Sequence, residues 1–437
     1  MSDVQIPEPT PVLTPPRTVT RWPWIVAGAS FLTLVGAAGF RSVPAVLMDS
    51  LQTEFGWGRG TIGFAVSVNL LLFGGFAPFA AALMERFGIR RVAGFALLTI
   101  AVGSGAAVFV TQAWQLVLLW GFVVGLGSGS IALSFAALIT GRWFLRRAGL
   151  VTGVLTAGSS TGQLIFLPVL SRLNEHVGWR TAALTAAGAA LVAMAIAIAG
   201  IRNRPADLGL TPFGAPAEYV VPQVAAEASS QGSLQRALTV LARCARRPAF
   251  WLLAGSFAIC GMSTNGLIQT HFVPAAHDHG MPPTTAAGLL AVVGIFDIVG
   301  TIASGFFSDR VDARLLLVIY YTLRGLSLYA LPELLGPSAE PSTWVFIIFY
   351  GLDWVATVPP TIALCRRHFG SDAPVAFGWV FAGHQVGAAV AATGAGVIRD
   401  RMGDYQLAWL LAGSLCLAAA VMSIMVGRAR QRVPVLA

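Results

Sequence analysis

Hydrophobic and polar positions alternate along this chain on a scale of tens of residues. Apolar runs of about 20 residues or more, parted by short polar breaks, recur from residue 24 to residue 427. Runs of that length predict helices that cross a bilayer, because only helices or closed barrels satisfy their backbone groups in lipid. The pattern places spans at 24–47, 60–82, 90–110, 114–139, 148–170, 180–201, 249–273, 285–307, 314–335, 343–365, 374–397 and 405–427. Residues 1–20 are polar and rich in proline and read as an unstructured tail, and no cleavable signal peptide is expected because the first apolar run is too long and too late. Residues 202–248 are the long polar stretch that divides the spans six and six. The expected fold class is therefore an all-α membrane protein of twelve transmembrane helices. Its parts are an N-tail (1–20), a first six-helix bundle (21–201), a linker (202–248), a second bundle (249–428) and a C-tail (429–437).

Composition supports the same class. With 56% hydrophobic and 11% charged residues, the chain cannot cover soluble domains with polar surface. The net charge of +9 suggests a nucleic-acid partner only until the charges are placed, and none is expected. All 28 basic residues are arginine. With both termini inside, 21 arginines fall on the cytoplasmic side and five outside (Arg59, Arg172, Arg180, Arg399, Arg401). That split follows the positive-inside rule. Abundant alanine and arginine without lysine fits a GC-rich bacterial genome, so the expected site is a bacterial inner membrane. Cys244, Cys260, Cys365 and Cys416 are far apart and read as small hydrophobes. His277-Asp278-His279 is placed in an outer loop with no third ligand, so neither metal nor cofactor is expected. No nucleophile–base pair or phosphate-cradling loop points to an enzyme or to ATP-driven work.

The two halves echo each other. Leu83-Met84-Glu85-Arg86-Phe87-Gly88-Ile89-Arg90 follows the second span, and Phe307-Ser308-Asp309-Arg310-Val311-Asp312-Ala313-Arg314 follows the eighth. Arg142, Phe144, Gly153, Gly158 and Gly162 likewise match Arg367, Phe369, Gly378, Gly383 and Gly387. The halves are parallel repeats.

These acidic–arginine turns resemble the loop signature of the major facilitator superfamily (Gly-x-Leu-Ala-Asp-Arg-x-Gly-Arg). The first copy has Ala81 and Glu85 in place of glycine and aspartate and keeps Arg86, Gly88, Arg90 and Arg91. The second keeps Gly305, Asp309, Arg310 and Arg314, with Asp312 where the inner glycine belongs. The resemblance implies two pseudo-symmetric bundles rocking about a central small-molecule site in alternating access. More narrowly, the chain looks like bacterial relatives of the monocarboxylate and oxalate–formate carriers. Phe55-Gly56-Trp57, Gly178-Trp179-Arg180 and Arg204-Pro205-Ala206-Asp207-Leu208-Gly209-Leu210 carry that likeness. Asp297 stands where those carriers place an aspartate followed four residues later by arginine. That later position is Thr301 here, and Ala45 stands where they place a basic residue after the first-span proline.

Ionisable residues at membrane depth are costly and therefore informative. Arg41 falls in the outer half of the first span, while Asp297, Arg324, Asp353 and His384 fall near mid-depth. An arginine fork suits a carboxylate, so Arg41 is the first candidate for substrate. Asp297, Asp353 and His384 could carry a proton, and Arg324 could pair with Asp297 or Asp353 as a buried bridge. Polar stripes show which faces meet the interior. Thr152, Thr156, Ser159 and Gln163 fall within a sector of roughly 60° on one helix face. Asn265 and Gln269 share a face of the seventh span. Pro359 and Pro360 predict a break in the tenth, with freed carbonyls turned toward the cavity. Glycines at four-residue spacing (Gly121, Gly125, Gly129; Gly158, Gly162; Gly383, Gly387) read as close helix packing. Glu85, Arg86, Arg90, Asp309, Arg310 and Arg314 read as gating loops, the acids capping helix N-termini and the arginines pairing across the interface.

Together with the resemblance, these residues point to a monomeric secondary transporter moving a small organic anion of the carboxylate class with a coupling proton. The expected substrate contacts are Arg41, Gln163, Asn265, Gln269, Asp353 and His384. An exporter of neutral or cationic compounds, and a non-transporting sensor on the same fold, remain open alternatives.

Overall fold

The computed structural model describes residues 21–57, 59–216, 219 and 232–427, excepting the side chains of 40–49, 59–61, 63, 283 and 284. The tails at 1–20 and 429–437 lie outside the described residues. Helices dominate the rest, as backbone groups in lipid require.

The described residues form twelve spans in turn. The first is Trp22–Phe55. The second is a pair, Arg59–Gly75 and Ala77–Phe87, bent by 52°. The third is Ile89–Ala106, the fourth Ala113–Trp143, the fifth Ala148–His176 and the sixth Trp179–Gly200. After the linker come Pro248–Asp278, Pro283–Ser308 and Ala313–Leu334 as the seventh to ninth. The tenth is broken into Pro341–Asp353 and Val358–Phe369, and the eleventh and twelfth are Ala373–Met402 and Gln406–Met425.

Several helices outrun their apolar runs. The fifth reaches His176 and the eleventh Met402, because a helix still satisfies its own backbone beyond the hydrocarbon and Arg172, Arg399 and Arg401 keep its ends in water. The bend in the second span sits at Phe76, ahead of Pro78, whose missing donor and ring favour a new helix start. The linker carries a helix of its own, Ser233–Ala245, and its Arg236, Ala237, Val240 and Cys244 are buried.

Of two apolar cores, one lies within the first half, while the other is built on the second half and also takes in the linker helix and Phe73, Ala77, Ala81, Ala82, Ala132 and Ala137 of the first. Across the halves the fifth span packs on the eighth and the second on the eleventh. The echoing glycines make these contacts. A Cβ on Gly153 would stand 2.6 Å from the Thr301 carbonyl oxygen, and one on Gly378 2.6 Å from Pro78 Cα. Within the halves, Gly162 meets the first span at the Val35 oxygen (2.5 Å from such a Cβ). Its echo Gly387 meets the seventh at the Ala258 oxygen. Glycines at one repeat offset thus serve the same pairs of helices. The contacts of Gly153 and Gly378 lie toward the membrane face that bears the linker, so this linker face is closed.

Gly305 completes the seam, since its added Cβ would stand 2.5 Å from the Gly149 oxygen and 2.8 Å from Gly153 Cα, both immovable backbone. Overpacking of this kind costs about 1–3 kcal/mol, close to a tenfold population change per 1.4 kcal/mol. Gly305→Ala is therefore expected to open the linker face. Hydrogen exchange in residues 144–155 should then quicken about tenfold or more, and an unchanged rate would show that the seam does not hold the face shut.

Candidate functional site

A cavity of about 390 Å³ lies between the halves at mid-depth. Its walls reach Leu167 and Ala287 toward the face opposite the linker. Three of the four stripe residues of the fifth span line it: Thr156, Ser159 and Gln163. Thr152 lies one turn closer to the linker face and bonds Thr140 at 3.1 Å. Asn265 and Gln269 line the facing wall. They are set there by a π-helical stretch, Met262–Ile268, a distortion that helices often carry at functional sites. His384 lines the wall between the rings of Phe257 and Phe381, at 4.8 and 5.8 Å.

Asp297 is the carboxylate at this cavity, 2% exposed. Ser160 Oγ donates to it at 2.5 Å from the other half of the molecule. Thr301 Oγ1 donates at 2.9 Å and the Val355 amide at 3.0 Å, so three donors from three spans converge on one side chain. Ser160 sits off the polar stripe, about 100° round the helix from Ser159, so its part was not legible in the periodicity. Cys260 and Thr264 also line the wall without having stood out in sequence.

Arg324 and Asp353 meet behind the wall. Arg324 Nε donates to Asp353 Oδ2 at 2.5 Å, and both residues are buried. Arg324 Nη2 donates to the carbonyls of Asp353 and Trp354, and Nη1 to Cys260 Sγ and Ser263 Oγ. Of the two carboxylates open to Arg324, the structure pairs it with Asp353. Asp353 itself does not reach the cavity lining. The tenth-span break occurs just before the prolines, at 354–357. Its freed carbonyls differ from expectation: those of Asp353 and Trp354 accept from Arg324 and that of Ala356 from Ser304, instead of facing the cavity. A buried guanidinium with several donors takes up bare carbonyls before water can. The backbone of Arg41 lies in the first span, but its side chain lies outside the described residues.

The linker face is locked by polar contacts. Asp309 caps the fifth span, accepting from the Gly149 and Leu150 amides at 2.7 and 2.9 Å. Its counterpart Glu85 does not cap the eleventh span. It accepts from Arg236 of the linker helix at 3.0 Å, and Arg236 also holds Asp372, at the start of the eleventh span, at 2.8 Å. With Asp372 already at that N-terminus, a second acid there needs a cation between the two. Arg86 lies over the Phe87 ring. The Arg90 amide bonds Asn203, and Arg310 lies over Phe306 and bonds its carbonyl. Bridging across the interface falls instead to Arg236 and to Arg366, which donates to Thr140 and Thr152. Arg314 pairs with Asp312 at 2.6 Å, and this hydrogen bond holds the Asp312 carboxyl down at about 2. The two loops differ where the signature does: Gly88 has φ +89°, whereas Asp312 has φ −59° and caps the ninth span. Asp278 ends the seventh span as helix, not loop, and pairs with Arg399 at 2.7 Å.

The family model of the Major Facilitator Superfamily matches residues 29–392. The chain belongs to the major facilitator superfamily. It is 27% identical to monocarboxylate transporter 3 of Rattus norvegicus over 406 residues, 92% of this chain and 79% of the relative. It is 24% identical to the MFS-type transporter YcxA of Bacillus subtilis (strain 168), covering 90% of this chain and 92% of that one. Among solved structures, the proton:xylose symporter XylE aligns with a TM-score of 0.69 at 14% identity, covering 92% of this chain and 95% of the other. The E. coli fucose:proton symporter FucP aligns at 0.67 and 14%, covering 93% and 100%. The last two share the fold. The protein is thus a multi-pass membrane transporter of small molecules, related to monocarboxylate transporters, and not an enzyme.

Proposed function

We propose that this transporter moves a small organic anion of the carboxylate class together with a proton. Asp297 carries the reading. Among the described residues it is the one carboxylate on the cavity wall, and no cation stands within ion-pair distance of it. Taking up a proton there cancels a charge next to an arriving anion, and the bond from Ser160 ties that event to the contact between halves. Arg41 supplies the anion clamp, and Gln163, Asn265, Gln269 and His384 the polar contacts that orient the substrate. Asp353 and Arg324 hold the break in the tenth span. The similarity to monocarboxylate transporters 3 and 4 supports the substrate class.

The arginine distribution supports a reading in which the linker face and both termini lie in the cytoplasm of a bacterial cell and the cavity is directed outward. The lock of Glu85, Arg236, Asp372 and Asp309 stabilises this outward-facing state, and one chain suffices to build the site. A second reading, export of neutral or cationic compounds, draws on the same Asp297. Uptake of labelled monocarboxylates into proteoliposomes separates the two. Accumulation is expected when the outer pH is lower and is lost in Arg41→Ala. Uptake indifferent to both the gradient and Arg41→Ala overturns the anion–proton reading.

A further inference from the structure

On the linker face, beyond the lock, a second cavity of about 400 Å³ opens between the halves. Arg142, Arg204, Arg236 and Arg366 stand on its walls with a single carboxylate, Glu85. The acids of the neighbourhood are already engaged. Glu85 and Asp372 share Arg236, and Asp372 also holds Arg243. Asp309 gives both oxygens to the fifth-span amides, and Asp207 accepts from the Arg204 amide. Among the described residues, Arg142, Arg204 and Arg366 pair with no carboxylate. Arg142 reaches the Asn203 carbonyl at 3.3 Å. Arg366 Nε is buried without a hydrogen-bond partner among the described residues. Gly141 leaves room in front of it, since even a Cβ there would stand 4.0 Å away.

A buried guanidinium nitrogen without a partner is costly, and a cluster of three cations raises that cost. An oxyanion relieves both, because guanidinium forks match carboxylate and phosphate oxygens. We propose that this cavity is an oxyanion site, in which a phosphate or carboxylate group from the linker-side water bridges Arg366 of the second half to Arg142 and Arg204 of the first half and linker. Because both halves contribute, the anion binds the closed linker face in preference to the open one and acts as a brake on opening. The site is separate from the central cavity and does not depend on what that cavity carries.

The test uses the full chain in nanodiscs of zwitterionic lipid, titrated with inorganic phosphate at constant ionic strength so that screening does not vary. A saturable rise of the thermal unfolding midpoint is expected. Arg204→Gln and Arg366→Gln should each raise the half-saturating concentration about tenfold or more. Arg180→Gln, on the opposite face, should leave it unchanged. Arg366→Gln also loses Thr140 and Thr152, so Arg204→Gln decides. Nanodiscs containing phosphatidylglycerol and no free phosphate form the second arm. A midpoint rise there that Arg204→Gln removes assigns the same chemistry to a lipid headgroup. An equal phosphate response in Arg204→Gln and the native chain, or no response in either arm, overturns the proposal. So does a response abolished by Gln163→Ala alone, an outcome that would leave the central anion reading standing.

Discussion

Asp297→Asn is expected to uncouple the transporter. A one-to-one symporter converts a gradient of one pH unit into about tenfold accumulation of substrate, since each tenfold ratio corresponds to about 1.4 kcal/mol. With asparagine at 297 the ratio should fall to about one, while counterflow exchange of labelled for unlabelled substrate persists. The side chain keeps its size and can still meet Ser160 Oγ, Thr301 Oγ1 and the Val355 amide, which now lie at 2.5, 2.9 and 3.0 Å, but it cannot trade a proton. Measuring accumulation and counterflow on the same proteoliposomes separates loss of coupling from loss of binding. Retained tenfold accumulation would move the proton site elsewhere, with His384 the next group on the wall.

The second large effect is on stability. Arg324 is wholly buried, and every group it touches is a partner: one carboxylate oxygen, two carbonyls, a thiol and a hydroxyl. Arg324→Ala strands the Asp353 carboxylate in an apolar core and frees the break in the tenth span, at a cost of about 3–5 kcal/mol. The unfolding midpoint in detergent should drop by roughly 5–10 °C, or the protein should fail to accumulate. Replacing both partners with apolar residues of similar size, Arg324→Met with Asp353→Leu, should recover much of that loss, because a buried ion pair must first offset its own desolvation. If the double variant is as unstable as the single one, the contribution of Arg324 lies in the carbonyls of the break and not in the carboxylate.

The fold was legible because its signals are long. Runs of about 20 apolar residues, and glycines repeating at one offset, survive uncertainty of several residues at each boundary. The polar stripe of the fifth span was legible for the same reason, being several turns of one period. What periodicity does not carry is the choice between partners that different helices bring together. Arg324 could meet Asp297 or Asp353, and only the packing of the ninth and tenth spans decides. Ser160 looks like any helical serine until the eighth span lies beside it. Arg366 counted in sequence as one more arginine near a helix end, although it reaches into the interface between halves. The π-helical stretch at Met262–Ile268 shifts a register that a 100° wheel holds fixed, yet Asn265 and Gln269 still face inward.

Arg236 shows what happened to the joint between the repeats. In a strict duplication the seam between two copies is a tether and nothing more. Here a residue of that seam is clamped between an acid of the first copy and an acid of the second, 6% exposed. The connecting segment therefore ties the two copies together, and an opening of the linker face would require it to release one copy or both. Two halves produced as separate chains would face each other with Glu85 and Asp372 uncompensated unless residues 233–245 travelled with one of them.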